Sequence, residues 1–220
     1  MNIRQFVLLA LKIAGLTLLF FVRLMAGTML FVAAATPPTT APPDRAAAQM
    51  IGWLIISFVD TLVVSLIILR SRWRGWRLAL AVAFSLYGVM TFMAQIETAW
   101  FAPAMTTMRI TGGLLRGLFL QTVPVVLIWV PLAVALLLWG WPPAHADAPP
   151  AQLPASAGAW AWRLAVIAAA YLALYFGFGY VVAWQNPEVR ALYDGGANPQ
   201  VFASERLIPF QILRSVLWVL

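Results

Sequence analysis

The stretch MIGWLIISFVDTLVVSLIIL (residues 50–69), followed by RSRWRGWR (70–77) and a second apolar run over 78–101, decides the fold. Each apolar run is long enough to carry a helix through the roughly 30 Å hydrocarbon core of a bilayer. The eight residues between them carry Arg70, Arg72, Arg74 and Arg77 interleaved with Trp73 and Trp76. Basic residues mixed with aromatics can bind single-stranded nucleic acid. Wedged between two spans, however, this segment reads as a cytoplasmic hairpin with tryptophans at the interface, and no nucleic-acid partner is expected.

Composition extends that reading to the whole chain. Its 220 residues are 63% hydrophobic and 10% charged, where soluble domains run at roughly 45–50% and 25%. That leaves room for spans with short connections and none for a separate soluble catalytic domain. The chain has no cysteine and one histidine, so disulfides, thiol catalysis, cysteine-ligated metals and histidine-rich metal sites are excluded. His145 and Asp147 lack further ligands, and neither a metal nor a cofactor is expected. No period-2 alternation marks a membrane barrel, so the fold class is all-α, a polytopic transmembrane helix bundle.

The expected spans are residues 6–35, 50–69, 78–101, 114–139 and 164–184, with a sixth run over 207–220. Fourteen residues cannot cross the hydrocarbon as a helix; the sixth run is read as partial, and the chain as a fragment. The positive start of the first run and the small residues Ala33 to Ala35 at its end resemble a signal peptide, but a signal core is only about 7–15 residues and lacks a central arginine, so that run is read as a retained helix. TPPTTAPPD (36–44) breaks the chain. PPAHADAPPAQLPASAGA (142–159) reads as a low-complexity Pro/Ala linker. Pro124 and Pro131 are expected kinks. Gly113 and Gly117 have the spacing of a close helix approach, and FGFGY (176–180) reads as a packing feature.

Orientation follows from the basic residues. With the N-terminus in the cytoplasm, the inner side holds Arg4, Lys12, Arg163 and the four hairpin arginines, and the outer loops hold Arg45, Arg109, Arg190 and Arg206. Seven against four favours that orientation.

Charges inside the spans carry the functional signal, because each costs about 2.5–3.5 kcal/mol on insertion scales. They are Arg23, Asp60, Glu97, Arg116 and Arg214. Counting about 1.5 Å per residue places Arg23 and Asp60 at similar depth, and Glu97 and Arg116 on either side of one outer loop. Two candidate pairs follow, with Arg214 in the same outer half. Ser57, Asp60 and Thr61 lie near one another on one face of the second span. Tyr87, Thr91 and Gln95 form a stripe on the third, and Glu97 points about 200° away from Gln95.

Two readings of these charges stand. Interhelical ion pairs would fix which helices touch, while an outward-facing polar cavity would take an anionic small molecule or lipid head group. The second makes the chain a carrier or binding protein. An intramembrane enzyme acting on a lipid head group or lipid-linked phosphate is an alternative, as is an assembly subunit of a membrane complex. No nucleophile elbow, zinc-helix motif or P-loop occurs, so no catalytic residue is assigned.

QIET (95–98), FGFGYVVAWQNPEVR (176–190) and PFQILRSVLW (209–218) resemble a group of bacterial polytopic membrane proteins with no assigned activity. The resemblance implies a multi-pass protein of the bacterial cytoplasmic (inner) membrane, continuing beyond the run around Arg214. It transfers no reaction and no site residue.

Overall fold

The computed structural model describes residues 3–33, 43–101, 111–141, 156–183, 185, 187 and 204–217. His145, Asp147, most of the Pro/Ala linker, Arg109 and Arg190 lie outside the described residues. Every regular element described is helical. Helix α1 is Ile3–Gly27 with a π-helical end at Thr28–Val32, and α2 is Pro43–Arg70. Helix α3 runs as Gly75–Tyr87, a π segment Gly88–Phe92 and Met93–Phe101. Helix α4 comprises Gly112–Leu120, the π segment Val125–Trp129 and Val130–Leu138. Helix α5 is Ala157–Phe178 with a π end at Gly179–Ala183, and α6 is Ser204–Leu217. Helices α1 to α5 are long and apolar enough to cross a membrane; α6, with 14 residues, is not.

The boundaries have local causes. Proline at the start of α2 suits a first turn, where its missing N–H has no partner to lose. Thr111 and Ser156 cap α4 and α5, each accepting a backbone N–H three residues on. Helix α5 thus begins inside the stretch read as linker, because Ser156 supplies a cap that composition alone conceals. Pro124 and Pro131 flank the π segment of α4. Each removes an intrahelical donor, and the backbone between them closes in wider turns.

The chain divides into two compact units, Met1–Gln95 with Thr111–Ala148, and Ile96–Ile110 with Pro149–Leu220. In the first, α1 and α4 pack antiparallel. Lys12 Nζ donates to Trp139 O at 2.8 Å, Trp129 Nε1 donates to Leu16 O at 2.7 Å, and Phe20 meets the Trp129 ring edge-on. Their far ends meet through glycines. A Cβ on Gly27 would stand 1.8 Å from Gln121 O, and one on Gly117 would stand 2.1 Å from Phe31 O. Gly113, by contrast, faces open space apart from its own cap residue. The close approach therefore pairs Gly117 with the Gly27 end of α1, not with Gly113 four residues before it.

Helix α2 is polar inside and apolar outside. Ser57, Thr61 and Ser65 are buried with Val64 and Ile68, while Ile51, Ile55, Phe58, Val59 and Leu62 are exposed. Water would drive the opposite arrangement, since exposing large apolar side chains costs about 25 cal/mol per Å². Lipid removes that cost, and polar groups then seek the protein interior.

The second unit is built around α5, α6 and the end of α3. Tyr171 and Tyr175 stand one turn apart on α5, and Phe210, Gln211 and Arg214 share one face of α6. Trp100 stacks on Phe210 with ring centroids 4.6 Å apart.

Candidate functional site: a carboxylate–guanidinium network

Glu97 lies one turn before Trp100 on α3, so the Trp100–Phe210 stack brings its carboxylate to the polar face of α6. Arg214 Nη1 donates to Glu97 Oε2 at 2.5 Å and to Gln211 Oε1 at 3.0 Å. Gln211 Nε2 and the Tyr175 hydroxyl both donate to Glu97 Oε1, at 3.3 and 2.6 Å. The Tyr171 hydroxyl donates to Gln211 Oε1 at 3.2 Å. Both carboxylate oxygens and the amide oxygen are thus held by donors from two helices.

The guanidinium is less evenly served. Its Nη1 carries both acceptors, while Nε is buried with no hydrogen-bond partner among the described residues. Its carbon lies 5.9 Å from the centroids of both the Tyr171 and Phe210 rings, within cation–π range. The two charged side chains also differ in exposure, at 7% for Arg214 and 24% for Glu97. Arginine is the inner partner and carboxylate the outer one.

The other charged residues of the spans, Arg23, Asp60 and Arg116, belong to the first unit. Arg116 is exposed, about 100° around α4 from the glycine packed on α1. Glu97 takes Arg214 because the face that carries Trp100 meets α6, a relation that counting along one loop does not reveal. Arg23 and Asp60 form no ion pair among the described residues. Asp60 lines a cleft of about 260 Å³ between α2 and α3 with Val63, Val82, Ser85 and Leu86, whereas Arg23 is half-buried with Nε unpartnered. Their similar depth is compatible with pairing, but Asp60 is about 100° around α2 from the buried Thr61 and turns to α3.

The split between Gln95 and Glu97 is present in the structure. Along the Gln95 stripe, Tyr87 donates to Phe119 O at 3.1 Å, and the Thr91 hydroxyl pairs with that of Thr122. Glu97 has its own set of partners. Sequence reading missed Tyr171, Tyr175 and Gln211. Two tyrosines four residues apart in an uncharged span, and a glutamine three before an intramembrane arginine, were the available signals.

Among the described residues no group of three or more histidine, aspartate or glutamate side chains could hold a metal ion. The chain matches no family model, no curated protein and no solved structure.

Proposed function

We propose that the chain is a carrier or binding protein of the bacterial cytoplasmic membrane that takes a small anion at Arg214, with Glu97 as the exchangeable counter-ion. The observation that carries this reading is the lopsided use of the guanidinium. One nitrogen is shared by two acceptors, while the buried Nε holds an unused donor. An arginine committed only to a structural pair gains most from a two-pronged fit to the carboxylate. Here the fork is half engaged, and an anion with two oxygens can complete it.

Exchange requires Glu97 to leave. A proton on its carboxylate removes the attraction to Arg214, and the released guanidinium accepts the anion in a low-dielectric site where Coulomb attraction is strong. Gln211, which bonds both charged groups, keeps Arg214 positioned while Glu97 is neutral. Tyr175 holds the other carboxylate oxygen and limits how far Glu97 swings. Anion and proton are then taken together, and the loaded site carries no more net charge than the empty ion pair.

The test is uptake of radiolabelled acetate, succinate and inorganic phosphate into liposomes containing the purified chain, with and without an inward proton gradient. Accumulation of at least one of them, dependent on that gradient and lost in R214Q, is expected. Empty-liposome levels for all three, or uptake unchanged in R214Q, would overturn the proposal.

A further inference from the structure

The arginine hairpin forms a second, separate feature of the first unit. Arg72, Arg74 and Arg77 with Trp73 and Trp76 line an open cavity of about 720 Å³ at the start of α3. Gly75, at φ +60°, makes the turn that begins α3 directly after Arg74, and no side chain caps the first amides of that helix. Free amides at a helix start carry partial positive charge and favour an anion there. Three guanidinium groups add to that field. Arg74 Nη2 is buried without a hydrogen-bond partner among the described residues. Arg77 lies over the Trp76 ring, 5.7 Å from its centroid, a packing that leaves the N–H edges of a guanidinium able to donate.

The cavity does not end at the arginines. It continues along α3 to Leu80, Ala81 and Phe84, about 10 Å further down the helix axis. Leu80 and Phe84 are exposed, Phe84 by 80%. A soluble phosphate or a nucleic-acid strand has no use for that apolar wall. A molecule with an anionic head and a hydrocarbon tail uses both parts.

We infer that the hairpin is a binding site for an anionic phospholipid. Its head-group phosphate lies among Arg72, Arg74, Arg77 and the free amides of α3, and its acyl chain lies along Leu80 and Phe84. The site holds one lipid, and it is independent of the anion proposed for Arg214.

Native mass spectrometry of the purified chain, released from detergent micelles doped with phosphatidylglycerol or phosphatidylcholine, tests the assignment. Wild type is expected to retain phosphatidylglycerol at least about fivefold more than phosphatidylcholine, with R74Q losing about fivefold of that retention. R163Q, which removes an exposed arginine elsewhere, is expected to match wild type, and millimolar inorganic phosphate is expected not to displace the lipid. Equal retention of the two lipids, an equal loss in R163Q, or displacement by phosphate overturns the inference. If R74Q fails to accumulate, R74K decides: it keeps the charge that insertion needs but loses the planar fork. Reduced retention in R74K supports the site, and unchanged retention overturns it.

Discussion

Glu97 and Arg214 are 117 residues apart in the chain, and their side chains meet at 2.5 Å with Gln211 bonded to both. Removing either partner strands a charge. Glu97→Ala and Arg214→Ala should each cost stability near the low end of about 3–5 kcal/mol, since the Glu97 side chain is only partly buried. The double variant should cost clearly less than the sum, because neither charge is then left alone. Reversible unfolding in mixed detergent measures all three, and additive losses would show that the pair is not coupled.

Tyr175 donates its hydroxyl to the same carboxylate, and removing that one bond is a milder change. Interhelical hydrogen bonds in membrane proteins average about 0.6 kcal/mol and reach about 1.7. Tyr175→Phe should therefore lower stability by about 1 kcal/mol in the same assay. A loss as large as that of Glu97→Ala would mean that the ring, not the hydroxyl, is what matters.

At the contact between α1 and α4, the glycines decide the distance between backbones. Gly117→Ala and Gly27→Ala would each drive a methyl into a backbone carbonyl, at 2.1 and 1.8 Å. Neither carbonyl can move without shifting a helix, so each should destabilise by about 1–3 kcal/mol or more. Gly113→Ala, with open space around it, should be neutral or slightly stabilising through helix propensity. Thermal denaturation followed by loss of the soluble detergent complex separates these outcomes.

Because the chain contains no cysteine, single introduced cysteines report orientation cleanly. Ser71→Cys, in the arginine hairpin, should react with a membrane-impermeant maleimide only after the membrane is opened. Gly112→Cys, at the exposed start of α4, should react in intact cells. The reverse pattern would place the N-terminus outside, against the arginine distribution.

Much of the fold is legible because spans are set by local composition. The run over 78–101 corresponds to α3 within three residues, and the run over 50–69 lies inside α2, which begins seven residues earlier at Pro43; the limits agree best beside the arginine hairpin, where the charges leave little choice. Depth counting assigns Glu97 and Arg214 to the same outer half of the bilayer. It could not find that they touch, because contact depends on helix rotation and neighbour choice. Trp100 and Phe210 set that rotation, and as two aromatics in apolar runs they look like any others in the sequence. Gly27 is hidden for the same reason. It belongs to no paired-glycine spacing on its own helix, and its importance arises only from Gln121 across the contact.

The most direct test of the exchange at Arg214 is the pH dependence of anion uptake in E97Q, whose amide imitates the protonated carboxyl. Wild-type uptake should rise as the outer pH falls, whereas E97Q should take up the anion at the same rate across the pH range and gain nothing from a proton gradient. If E97Q keeps the wild-type pH profile, Glu97 is not the exchangeable group and the account of the site fails.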